Sequence, residues 1–272
     1  MTTLHPFDQA LALQHSDLRS GEFTGATSPA YWNMVGPFGG ATAALALQAV
    51  LKHPDLLGEP VALTVNFAAA IEAGAFEIQA LPVRTNRSTQ HWTVSICQNG
   101  QVNTTATVFT ALRRDTWGER DAAPPEVPRP SDVKLMRIGP EGVAWLDGYE
   151  MRPIVGSPPS VWDESGTDSE SQLWLRESPP RPLDFASLAA MSDVFFPRVW
   201  LRRARRVPAG TVSITTYFHA DAGLLAAHGT GYLLARARAQ RFFNGYFDQS
   251  AQLWTESGNL LATSNQIVYY KE

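Results

Sequence analysis

Cysteine is nearly absent: Cys97 is the single one in 272 residues. An internal disulfide framework and any cysteine-based zinc site are therefore excluded. Lysine is scarce as well, three against 19 arginines, and with 26 acidic residues the formal net charge is −4. That balance argues against broad binding to nucleic acid or to anionic membranes. Long apolar runs are missing. The longest near-apolar stretch, residues 43–51, is broken by Gln48, whereas a bilayer span needs about 20 residues. Residues 1–22 show no basic region followed by an apolar core, so no secretory signal is expected. The G-x-S-x-G motif of serine α/β-hydrolases does not occur either. A soluble, reduced, cytoplasmic globular protein is expected. Its 44% apolar and 18% charged composition is that of a folded chain, long enough for one large domain or two of about 130 residues.

The prolines divide the sequence. Eleven of the 19 lie between Arg113 and Pro182, and Pro124-Pro125, Pro158-Pro159 and Pro179-Pro180-Arg181-Pro182 are poor material for helices or central strands. This section reads as a connection with short extended pieces. The expected units are residues 1–112, a proline-rich connection over 113–146, and a second unit over 147–272.

Each flank has one apolar helix followed by four strand-like runs. In the first, Phe38-Gly39-Gly40 leads into a helix over 41–53, with Lys52 and His53 suited to its carboxyl end. Strands are expected over 61–70, 75–84, 89–98 and 102–112, with Asn99-Gly100 a strong hairpin signal. In the second, Asp184 is placed to cap a helix over 185–196. Strands are expected there over 210–219, 231–242, 246–255 and 260–270. The halves superpose in sequence: Leu63 to Phe67 (LTVNF) matches Ile214 to Phe218 (ITTYF) at an offset of 151, and Gly100 matches Gly258 at 158. A duplicated domain is indicated. Helices with so little polar face are usually enclosed, and one enclosed helix followed by an antiparallel meander points to an α+β fold of the hot-dog type, two copies in tandem. A two-layer α+β sandwich is the other arrangement such elements allow.

Several stretches, in order, are similar to the acyl-CoA thioesterase II (TesB-like) family of double hot-dog enzymes. They are Phe38-Gly39-Gly40, Asn99-Gly100, Glu150-Met151-Arg152-Pro153, Leu173-Trp174-Leu175-Arg176, Ser192-Asp193, Thr211 with Tyr217-Phe218-His219, and Gly258 with Ala262-Thr263-Ser264-Asn265-Gln266. No single piece is specific, but their collinear order over more than 200 residues is. The chain departs from the family pattern at Arg84-Thr85-Asn86-Arg87, which lacks a glycine, and at Ala220-Asp221. The resemblance implies hydrolysis of acyl-CoA by an Asp, Thr and Gln, here Asp193, Thr211 and Gln266. It also implies no cofactor beyond the coenzyme A of the substrate, no metal, and further pairing of chains into a homo-oligomer. Ser213, Thr215 and Thr216 share the strand of Thr211. Strict alternation would set Thr211, Ser213 and Thr215 on one face and Thr216 on the other.

A thioester carbonyl needs a positioned water, a proton acceptor, and donors for the developing oxyanion. Asp193, on a helix beside Ala186, Ala189 and Ala190, would be the acceptor, its pKa raised by desolvation. Thr211 and Gln266 would hold the water, and backbone N–H groups near Phe38, Gly39 and Gly40 would meet the oxyanion. Trp32 and Phe218 are the expected further pocket residues. At an offset of 158 Gln266 corresponds to Val108, and the first helix carries no carboxylate, so one active site per chain is expected. Arg202, Arg203, Arg205 and Arg206 could contact CoA phosphates, although a solvated arginine loop is the preferred reading. Two rival functions are a hot-dog enoyl-CoA hydratase or dehydratase, for which no Asp–His pair opens either helix, and a non-catalytic acyl-thioester binder.

Overall fold

The computed structural model describes residues 4–16, 20–137 and 143–272; residues 138–142 of the expected connection, 1–3 and 17–19 lie outside the described residues. The chain opens with a short helix α1 (Pro6–Ala10) and two strands, β1 (Gln14–His15) and β2 (Glu22–Ala26). Helix α2 (Gly39–Leu51) then precedes β3 (Glu59–Phe67), β4 (Ala75–Thr85), β5 (Thr89–Gln98) and β6 (Gln101–Ala111). The second half repeats this plan: β7 (Tyr149–Val155), β8 (Ser171–Glu177), α3 (Phe185–Met191), α4 (Arg198–Arg203), β9 (Ala209–Phe218), α5 (Ala222–His228), β10 (Leu233–Arg238), β11 (Phe242–Phe243), β12 (Tyr246–Thr255) and β13 (Leu260–Tyr270).

Twelve of these strands form one antiparallel sheet in the order β1-β2-β4-β5-β6-β3-β9-β13-β12-β10-β8-β7, with β11 attached to β12. Read outward from the β3–β9 seam, the two halves list equivalent strands. At that seam Thr64 pairs with Thr215, its own counterpart at the 151-residue offset, and the two hydroxyls hydrogen-bond at 2.9 Å. A strand pairing with its own repeat at equivalent residues defines an approximate two-fold axis through that pair. The duplication read from LTVNF and ITTYF is therefore the axis of the fold.

The apolar helices are enclosed, as their composition requires. All seven residues of α3 are buried, and α2 is buried from Gly40 to Leu47 and again at Ala49 and Val50. They pack on each other and, with inward residues of both half-sheets, form one continuous core. This is the double hot-dog arrangement, and it displaces the two-layer sandwich. Asp184 does cap α3, accepting the N–H of Ser187 at 2.8 Å. At the first hairpin Asn99 and Gly100 both take positive φ, 54° and 74°, the geometry of a type I′ turn.

Three expectations needed correction. The proline-rich section contributes two strands, β7 and β8, the counterparts of β1 and β2; Pro153 is tolerated because β7 is an edge strand with a bulge beside it. The second helix ends at Met191 rather than near 196. Ser192 turns its hydroxyl back onto the Leu188 carbonyl at 2.9 Å, and its own carbonyl accepts from Ser264 Oγ at 3.3 Å on β13 instead of from a further helical turn. Asp193 therefore stands just past the helix end. The strand expected over 231–242 is interrupted, leaving β10 and the short β11. Among the described residues no helix is long and apolar enough to cross a membrane.

Candidate active site

The end of α3 abuts the start of α2, and small residues make this possible. A Cβ on Gly40 would lie 2.4 Å from the Ala190 carbonyl oxygen, and one on Gly39 would lie 2.6 Å from Asp193 Oδ2. Both distances are below any real contact, so these glycines serve close approach rather than an unusual φ. The Asp193 carboxylate accepts the Gly40 N–H and, at Oδ1, the Gln266 Nε2–H at 2.8 Å. Gln266 is 5% exposed and also approaches the Ser192 carbonyl at 3.5 Å. The turn after Asp193 is held to the sheet by buried Arg198, which donates to Ser169 O at 2.9 Å and Ser171 Oγ at 2.7 Å.

Asp193, Thr211 and Gln266 line one cavity of about 530 Å³, together with Phe38 and Gly39. That volume lies in the usual range for small-molecule sites. Burial pushes the Asp193 carboxyl up from 3.8 to about 7, against the opposing hydrogen bonds from Gln266 and Gly40. The part of Asp193 still accessible faces this cavity. A carboxylate with two of its roughly four acceptor positions filled keeps lone pairs for a water molecule, and near-neutral basicity suits proton abstraction.

Thr211 reaches the cavity through a bulge. Opposite β13, Ile267 pairs with Ser213 but Val268 pairs with Thr211, so Val212 is the extra residue. The alternation is reset there: Thr211 shares the inward face of Val268 and Ile214, while Ser213 does not. Strict alternation misassigned this face because a bulge inserts one residue and re-aims its neighbours. Thr215 is spent on Thr64 at the seam.

Of the expected pocket residues, Gly40 sits behind Gly39 against the Ala190 carbonyl, and Phe218 and Trp32 lie elsewhere. Phe218 is buried against Phe185, with ring centroids 5.7 Å apart, beside the opening turn of α3 and so at the far end of the helix from Asp193. Trp32 bridges Pro37 through its backbone and accepts the Trp145 N–H at 3.2 Å; Trp145, stacked on Phe38 at 4.2 Å, lines the cavity in its place. Of the arginines, Arg203 is paired with Glu164 and Glu272, and Arg205 with Glu164. Arg202 donates to the Gly166 carbonyl at 3.2 Å. Arg206 alone of the four lines the cavity, over the Trp200 ring at 5.7 Å. Sequence reasoning also passed over Gln249, which lines the cavity and is 3% exposed. Its signal was a glutamine on the inward face of β12, in register with Phe247, Ala251 and Leu253.

Fold and site together define a double hot-dog protein with a largely apolar cavity that carries a few polar side chains at the junction of its helices; at the position of Gln266 the first half has buried Val108. Residues 28–112 match the model of the acyl-CoA thioesterase N-terminal domain, and residues 120–270 that of the acyl-CoA thioesterase C-terminal domain. The chain belongs to this acyl-CoA thioesterase family. A conserved hot-dog protein of unknown function from Alicyclobacillus acidocaldarius is 47% identical over 99% of both chains, with a TM-score of 0.94. The acyl-CoA thioesterase II of Mycobacterium marinum shares the fold at 17% identity, over 97% of this chain and 98% of its own, with a TM-score of 0.77. The tesB protein of Mycobacterium avium subs paratuberculosis does so at 19% identity over 98% of each, with a TM-score of 0.76. No curated protein sequence gives a significant match.

Proposed function

We propose that the protein hydrolyses acyl-CoA to a free carboxylic acid and coenzyme A, with Asp193 as general base. The observation that carries this reading is the Asp193–Gln266 contact of 2.8 Å at the wall of a largely apolar cavity, where the carboxyl titrates near 7. In the proposed step Asp193 takes a proton from water as the water oxygen bonds to the thioester carbon. The carbonyl π pair moves to oxygen, then returns as the C–S bond breaks. The thiolate leaves and takes up the proton, giving the thiol. Gln266 fixes the carboxylate through Oδ1, and the Thr211 hydroxyl, on the same inward face, holds the water. The screen that tests the proposal is thiol release across acyl-CoAs of several chain lengths. Turnover by the wild type supports it. Binding without thiol release favours a non-catalytic thioester binder, and hydration of an enoyl-CoA without release favours the hydratase reading.

The nucleotide end of coenzyme A would leave the cavity past Arg206, whose guanidinium is the one in that cluster not taken by Glu164, Glu272 or Gly166. Arg206→Ala is expected to raise KM for acyl-CoA about threefold to tenfold, the range for losing one charge-assisted contact near the surface. The same variant should leave the acyl-pantetheine thioester unchanged, because it lacks the phosphoadenosine. Steady-state kinetics on the two substrates checks this, and an equal effect on both would remove the phosphate contact.

A further inference from the structure

The cavity holds one more buried amide than the Asp193–Gln266 pair uses. Gln249 lies directly across the β12–β13 ladder from Gln266, so the two side chains rise from the same face with Cβ atoms about 5 Å apart. Its carboxamide has no hydrogen-bond partner among the described residues, although the residue is only 3% exposed and lines the cavity. Neither of its amide atoms is among the sealed unpartnered ones, so the carboxamide opens on the cavity, and its partner is to be sought in whatever occupies it. The fold itself does not ask for an amide there. By strand pairing, the first repeat places Trp92 opposite Val108 at these two positions, and both are buried and apolar. The second repeat has glutamine at each.

Two donors near the carboxylate are already turned to it. Gln266 Nε2 serves Asp193 at 2.8 Å, and the Gly40 N–H faces the same carboxylate and lowers its pKa. Two further unpartnered polar atoms belong to cavity residues, Thr104 Oγ1 and Trp145 Nε1, but both are sealed, with almost no accessible surface. A reaction that builds negative charge on a carbonyl oxygen beside an ionised carboxylate needs a donor aimed at that oxygen. Resting on the proposed thioester hydrolysis, we infer that Gln249 is a further catalytic residue, its Nε2–H donating to the thioester carbonyl oxygen. As water adds and Asp193 takes its proton, the π pair localises on that oxygen and the amide bond to it shortens. When the pair returns and C–S breaks, the acid product keeps the same contact until it leaves.

The test is steady-state thiol release by Gln249→Met, which keeps length but removes the donor, and by Gln249→Asn, which keeps the amide but draws it back by one carbon. A saturated straight-chain acyl-CoA is the substrate, so no other polar group on the chain can engage the amide. Both variants should lose kcat by about 10²–10³-fold, the usual effect of removing one oxyanion donor. KM should stay within about threefold, and the pH inflection expected near 7 for the raised Asp193 carboxyl should remain. Thermal melting of Gln249→Met should stay close to the wild type, because no hydrogen bond among the described residues is lost. Unchanged kcat in both variants, a rise in KM alone, or a displaced inflection would each overturn the assignment while leaving hydrolysis standing. A wild type that releases no thiol from any acyl-CoA would remove hydrolysis itself, and the assignment with it.

Discussion

Asp193→Asn is expected to lower kcat for acyl-CoA by about 10²–10⁴-fold, the contribution of a positioned general base, and at pH 8 to make the fold more stable. Both effects come from one environment. Burial lifts the carboxyl from 3.8 to about 7, so between these values the folded chain holds a proton that the unfolded chain releases. Stability is greatest below about pH 4, falls as pH rises through this window, and is lowest above 7. A shift of about three units corresponds to at most about 4 kcal/mol, less where the cavity admits water. Asparagine carries no charge to desolvate and can still accept from Gln266 and Gly40. On the proposed mechanism, the basicity of Asp193 is held at the expense of stability. Denaturant unfolding of both proteins at pH 5 and pH 8 checks the sign: the asparagine variant should gain mainly at pH 8. Equal stability differences at the two pH values would remove the buried charge from the account.

Gly40→Val and Gly39→Ala should fail in opposite ways. A side chain at residue 40 meets the Ala190 carbonyl at 2.4 Å, a backbone atom on a fully buried helix with nowhere to go. Overpacking of this kind costs about 1–3 kcal/mol or more, which for a chain of this size lowers Tm by roughly 2–4 °C per kcal/mol. Thermal melting should show the loss directly. At residue 39 the atom in the way is Asp193 Oδ2, the end of a side chain that can rotate. Gly39→Ala is therefore expected to keep Tm within about 2 °C while kcat drops at least about tenfold, because the base has been displaced by a fraction of its reach. Full activity in Gly39→Ala would show that the carboxylate does not need its present position.

The parts of this fold that were legible in the sequence are those where local chemistry and tertiary context agree. The near-apolar stretch before Leu51 could only be an enclosed helix, Asn99-Gly100 could hardly be anything but a tight hairpin turn, and the LTVNF and ITTYF match marked the duplication, whose seam the structure sets at those two strands. Asp193 and Gln266 were nameable because each lay within a stretch resembling the family, and the structure brings the two side chains into contact. The geometry of Thr211 was not legible. A bulge at Val212 depends on the register with β13, and alternation counted along one strand cannot register an extra residue opposite another. Strand β7 was obscured by Pro153, which an edge strand tolerates and a central one does not, and β8, with no proline of its own, by the proline pairs on either side. The arginine cluster was readable only as a cluster, since Glu272, which pairs Arg203, is 69 residues away. Gln249 stood in plain view on an apolar face, but its meaning required knowing that no described residue pairs with it.

The most direct measurement is the pH dependence of kcat/KM for acyl-CoA in the wild type and in Asp193→Asn. A single ionisation near pH 7 is predicted for the wild type, with the rate falling about tenfold for each unit below it and levelling above. The asparagine variant should show a residual rate without that inflection. A wild-type profile flat from pH 5 to 9, or the same inflection persisting in the variant, would contradict Asp193 as the base.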